Sequence, residues 1–209
     1  HDRFAWSFFG TDGDRLTRDI DDLRQANTDL TTTPSDASDY QFWADPFAVS
    51  GRIAQQVDIA KVRLDAEDAL RDLETSAPPP LHPGALQVMK VAALRFDLLG
   101  RQLQIAAAID REYADALAAR PSDEDRVYGD LYDIDGLLAD WEEQLNAIRA
   151  QYRAAWLLEC RPAYLANVTA TYDARLSQIV ALDSRLLKVI REDYMRGRHS
   201  LPASFFSLP

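Results

Sequence analysis

The chain has 209 residues, 47% of them hydrophobic, and a mass of 23.5 kDa, enough for one domain around a sizeable core, with or without a small appendage. A formal net charge of -11 and a pI of about 4.7 argue against sequence-independent binding to DNA, RNA or anionic membrane, which depends on clustered Lys and Arg. The single cysteine, Cys160, excludes an intramolecular disulfide and a cysteine-based zinc site.

At the N-terminus Phe4, Trp6, Phe8 and Phe9 precede Gly10, too aromatic a run for a solvated tail, so this segment is expected to pack on the rest of the molecule. It lacks the layout of a signal peptide, and no apolar run approaches the ~20 residues of a membrane span. Beginning at His1, the chain reads as a processed protein, a tag-scarred product or a fragment of a longer one. The Thr11 to Asp14 stretch offers helix-start chemistry, and Leu16, Ile20 and Leu23 then mark a short amphipathic helix fading near Asn27 to Leu30. Thr31 to Ser38 reads as a loop. Beyond Pro46 the helical period resumes through Val49, Ile53, Val57, Ala60, Leu64, Leu70 and Leu73, up to the three prolines that follow Ala77.

From Leu86 to Leu117 the apolar residues spread around most of a helix rather than along one stripe, which predicts a central element covered on several sides. It starts after Pro83 and ends near Arg120. Its polar residues Gln87, Lys90, Asp97, Arg101, Gln104, Arg111 and Asp115 fall on one line, with Asp97 and Arg101 spaced for an i, i+4 ion pair. After Pro121 the cleanest periodicity in the chain appears. Val127, Leu131, Ile134, Leu138, Trp141, Leu145, Ile148, Tyr152 and Ala155 alternate steps of 4 and 3, the seam of a long antiparallel packing. Pro162 interrupts it. A last helix carries Leu165, Val168, Tyr172, Ile179, Leu182, Leu186 and Val189, ends at Gly197, and leaves an apolar tail, Leu201 to Pro209, expected to lie extended against the helices. These signals predict an all-α fold, an up-down-up-down bundle of four long helices over 46–209, with residues 1–45 as an aromatic N-terminal segment and short helix packed on it.

No reaction is written in these residues. A di-iron site needs Glu-x-x-His motifs, and His1, His82 and His199 lie near termini or turns with no glutamate three positions before them. Zinc fails for lack of ligands, and Asp130, Asp133, Asp135 and Gly136 lack the spacing and closing glutamate of a calcium loop. There is no glycine-rich phosphate loop and no nucleophile with its base, so no catalytic, cofactor-binding or metal residue is assigned and no cofactor is expected. Cys160 is expected to be a small buried hydrophobe, Trp43, Trp141 and Trp156 to be core, and the Asn167 sequon to lie within a helix. Arg95 and Gln102, seven apart on the packed side of the central helix, are the candidate buried polar residues. They are read either as an internal ion pair tying helices together or as the polar anchor of a ligand groove.

Three stretches carry a resemblance: Phe4 to Gly10 (FAWSFFG), Phe42 to Phe47 (FWADPF) and Tyr152 to Leu176 (YRAAWLLECRPAYLANVTATYDARL), together under a fifth of the chain. They resemble the helical C-terminal region that follows the catalytic barrel in some bacterial glycoside hydrolases of the family 20 β-N-acetylhexosaminidase kind. The resemblance implies a non-catalytic helical domain or fragment that supports a barrel, a cleft or a dimer interface. Its partner would be a catalytic barrel of the same protein or a second copy of itself, and its place periplasmic or secreted. The adjacent Asp-Glu pair and the barrel of that family are missing here, so no catalytic residue carries over. The competing reading is a free-standing helical module for protein interaction or ligand binding.

Overall fold

A computed structural model of the protein describes residues 3, 5–10, 14–30, 38–49, 53, 57–76, 81–119, 124–196, 201–202 and 205–206. They form helices and short links, with no strand among the described residues, so the all-α class is observed. After a π-helical turn, Ala5–Phe9, come α1 (Asp14–Leu30), α2 (Ser38–Trp43), α3 (Ile59–Thr75), α4 (Pro83–Ala118), α5 (Glu124–Glu159) and α6 (Leu165–Arg196). The expected signals at 11–13, 31–37, 77–80, 121–122, 197 and 207–209 lie outside the described residues.

The long helices α4, α5 and α6 follow the sequence pattern closely. Pro83 occupies the first turn of α4, where its missing N–H costs nothing, and the break between α5 and α6 falls at 160–164 around Pro162. The helix after Pro46 differs from expectation. Residues 46–49 are helical, but Asp58 accepts a hydrogen bond from the Lys61 amide at 3.1 Å and caps a fresh start at Ile59. The restart changes the helical phase: α3 buries Ile59, Val62, Ala66, Ala69 and Leu73, while Leu64, placed on the inner face by continuous counting, is 55% exposed. At the other end of α1, Leu30 is fully buried where the helix was expected to fade.

Packing is serial. α1 lies along α3, α3 along α4, α4 along α5 and α5 along α6, with α1 and α2 also touching α4. Gln87 reaches Gln151 at 2.8 Å and Arg101 reaches Asp140 at 3.7 Å, pairs that run in opposite chain directions and fix α4 and α5 as antiparallel. Arg149 meets Asp173 at 2.5 Å across α5 and α6. The expected Asp97–Arg101 pair within α4 is absent, because Arg63 of α3 takes Asp97 at 2.7 Å and Arg101 turns to α5.

Among the residues whose burial is described, α4 carries the largest share of buried ones, fourteen against eight each in α5 and α6. α3 and α5 cover two of its sides, and another is covered by α2, residues 46–49, Ile53 and the described tail residues 201–202 and 205–206. There Phe42, Ile53 and Phe47 join the main apolar cluster. Tyr113 donates to the Pro202 carbonyl at 2.7 Å, and Phe206 stacks on Phe47 at 5.6 Å. Val88 and Leu117, counted as core from the sequence, are 46% and 41% exposed, although Leu86 and Ala116 at the same ends of α4 are buried, so it is their face of the helix that is left uncovered.

Gly100 marks a close approach of α3 to α4. A Cβ there would lie 2.4 Å from Arg63 Cγ and 3.3 Å from Ile59 Cγ2. Alanine favours a helix over glycine by about 1 kcal/mol, whereas overpacking costs about 1 to 3 kcal/mol. Arg63 has little room to yield, because its guanidinium is held by Asp97, Glu67 and Gln104. Gly100→Ala is therefore expected to lower stability in a urea titration, while Gly136→Ala, with no atom within 4 Å of the added methyl, is expected to raise it.

Candidate functional site

Arg95 and Gln102 converge on one target. Gln102, 2% exposed, donates from Nε2 to the Phe42 carbonyl at 3.0 Å, and the Arg95 guanidinium carbon lies 4.7 Å from the centroid of the Phe42 ring. Together they pin the end of α2 to α4, so the polar pair serves to seat a short helix.

A second arginine does the same from the opposite side and is more deeply buried. Arg175 of α6, 6% exposed, donates through Nη2 to the carbonyls of Trp43 and Ala44, the latter at 3.1 Å, and lies 6.0 Å from the Trp141 ring. Burial pushes its guanidinium below the ordinary arginine value and nearby Asp45 pulls it back. Trp43 continues this cluster edge to face with Tyr172 at 4.9 Å, and Tyr152 lies tilted against Tyr172 at 5.6 Å. Thus FWADPF and the Tyr152 to Leu176 stretch touch in space, while Phe9 of FAWSFFG packs elsewhere, with Leu16, Leu73 and Leu86.

Other expectations are corrected here. Cys160 is exposed, since it follows the last turn of α5 in the link to α6. Of the three tryptophans expected in the core only Trp141 is fully buried; Trp43 and Trp156 are half-buried, Trp156 donating to the Arg161 carbonyl at 2.9 Å. Asp130, Asp133 and Asp135 do not converge, and among the described residues no group of His, Cys, Asp and Glu is arranged to hold a metal.

Five carboxyls among the described residues are shifted toward neutrality, Asp22, Asp110 and Asp130 less so and Asp19 and Asp183 the most. Asp19 of α1 is raised to about 6, by burial first and then by Asp72 and Asp22, against the opposing charges of Arg15 and Arg18. Asp183 of α6 is raised to about 6, again by burial first, then by hydrogen bonding to and charge on Asp135 of α5, and by Glu142. Each faces a carboxylate of a neighbouring helix, Asp72 of α3 for Asp19 and Asp135 of α5 for Asp183, so both are read as interface carboxyls. Each binds its proton more tightly in the folded chain than in the unfolded one, so folding is favoured below the raised value and loses that support as pH climbs from about 4 to about 6. Asp29, lowered by Lys61, acts in the opposite sense only at more acid pH. Thermal unfolding is expected at higher temperature near pH 5 than near pH 7.5, with each group contributing on the order of 1 to 3 kcal/mol. Asp183→Asn should flatten that dependence and raise stability near pH 7.5.

The cavity of note lies on the other side of α4. α3 and α5 both pack on α4 without packing closely on each other, which leaves a groove of about 420 Å³ above it. Its floor and walls are apolar: Leu94 and Leu98 of α4, Leu70 of α3, Ala147 and Ile148 of α5. Its rim carries three amides, Gln87, Gln144 and Gln151, with Glu74, Lys90 and Asp97. Asp97 is engaged by Arg63, whereas Lys90 and Glu74 pair with no described residue. Arg95 and Gln102 do not line this groove, and sequence periodicity missed it because it arises from where two helices part. Comparisons with protein-family models, curated proteins and solved structures find no match in any of the three.

Proposed function

We propose that this chain is a non-catalytic helical module that docks a second folded unit, with the up-down-up-down run of α3 to α6 as its frame. The observation that carries the reading is the gathering of exposed apolar side chains at one end. Trp6 is 66% exposed beside Leu81 and Phe8, where the Leu81 amide donates to the Phe9 carbonyl and Phe8 stacks on His82 at 4.3 Å. Because α4 and α5 are antiparallel, Leu157, Leu158 and Tyr164 share that end, and they too stand out in solvent. Tyr164 holds a left-handed φ of 74°, a conformation that disfavours side chains other than glycine's and that often marks interaction sites. A monomer seldom leaves large apolar groups gathered without a partner. In the family 20 resemblance that partner is a barrel; with this chain alone it is a second copy.

Light scattering is expected to show concentration-dependent self-association, lost in a Trp6→Ser, Leu158→Ser variant whose melting temperature is unchanged. A strictly monomeric wild type over the whole range overturns the docking reading. No turnover is expected on chromogenic N-acetylglucosaminides, and turnover that survives repurification overturns the non-catalytic one. A second reading, a ligand-binding module, is favoured by the groove over α4.

A further inference from the structure

We propose that the groove over α4 binds an aliphatic α-acylamino carboxylate, the chemistry shared by a free N-acyl amino acid and the last residue of a peptide. The inference deepens the ligand-binding reading above and does not depend on the docking end. Its size fits: about 420 Å³ falls within the range of small-molecule sites. The floor of Leu94 and Leu98 with the wall of Ile148 offers an aliphatic slot, and no aromatic ring lines it as a platform for a planar ligand or a sugar. A fatty chain alone would leave the rim amides idle.

Each glutamine side chain carries both a donor and an acceptor, which matches a ligand group carrying both, and a secondary amide is the simplest. Gln87 and Gln151 are already oriented by their mutual bond at 2.8 Å, which leaves Gln87 Oε1 and Gln151 Nε2 directed to other partners, and Gln144 stands beside them on the rim. Lys90, half-buried and pairing with no described carboxylate, is the rim's cation and would take the ligand's carboxylate. Glu74, on the α3 side of the rim, disfavours a second negative charge there and thereby limits the ligand to one carboxylate.

The test uses backbone amide shifts of the full chain with four probes: N-acetyl-leucine, N-acetyl-leucine amide, octanoate, and a pentapeptide ending in leucine. N-acetyl-leucine is expected to perturb resonances at 87–98 and 144–151 with millimolar or tighter affinity. Removing the carboxylate from the probe, or the charge from the protein by Lys90→Gln, is expected to weaken binding about tenfold, the factor of a lost charge-assisted hydrogen bond. Gln144→Leu, chosen as a second variant on the rim, should weaken the amide probes and spare octanoate. Tighter binding of the pentapeptide than of N-acetyl-leucine assigns the site to peptide termini, and the reverse order to free acyl amino acids. Octanoate binding in the groove as tightly as N-acetyl-leucine overturns the ligand class but leaves a binding groove. No perturbation of the groove by any probe overturns the ligand-binding reading as well.

Discussion

Replacing Trp141 by alanine is expected to destabilise the protein by about 3 to 5 kcal/mol, the range for truncating a fully buried aromatic side chain. The indole is 0% exposed at the middle of the α5 seam, with the ring of Phe47 at 6.5 Å and the guanidinium of Arg175 at 6.0 Å. Collapse into the void is opposed by long helices on two sides, so the cavity should persist. Phenylalanine makes the instructive contrast. The indole N–H is buried without an acceptor among the described residues, so Trp141→Phe loses no hydrogen bond and removes an unsatisfied donor. Its cost is expected to stay under about 2 kcal/mol, the share due to lost volume. Urea titrations with unchanged slopes measure both. Equal losses for the two variants would show that the N–H holds an acceptor worth as much as the rest of the ring.

The legible part of this fold is the part set by period and punctuation. The steps of 4 and 3 from Val127 to Ala155 are buried as counted, apart from half-buried Tyr152, because one helix uninterrupted by a cap keeps one phase. Between Pro46 and Leu73 the same counting holds at Ile53, Val57 and Leu73 but fails at Ala60 and Leu64. Asp58 reads as an ordinary polar residue until its side chain is seen on the Lys61 amide, and the fresh start that it caps turns those two positions outward. Cys160 was misplaced for a related reason. Its type argues for burial, but its position just past the end of α5 decides its exposure. Of the candidate site, Arg95 and Gln102 were legible as polar residues on an apolar side, and both do act inward, on Phe42. The groove was not legible, since it depends on the separation between α3 and α5, which neither helix encodes alone.

Arg175 is the buried charge that periodicity could have flagged. The seam of α6 runs from Tyr172 to Ile179, a gap of seven, and the position that divides it into 3 and 4 is arginine. An apolar side chain was due there. In its place the guanidinium crosses to α2 and binds two carbonyls at its C-terminal end, where the helix dipole favours a cation and the chain turns away toward Pro46. Arg175→Ala is expected to cost about 3 to 5 kcal/mol, since it leaves a void beside Trp141 and two carbonyls without their donor. Arg175→Met keeps most of the volume but none of the donors, and Arg175→Lys keeps the charge but not the planar fork that reaches both carbonyls. If the bonds to Trp43 and Ala44 dominate, methionine should lose nearly as much as alanine, and near-ultraviolet circular dichroism should report a loosened Trp43. Recovery of most of the stability by methionine would assign the role to packing instead, and α2 would then owe its seat to Gln102 and Arg95.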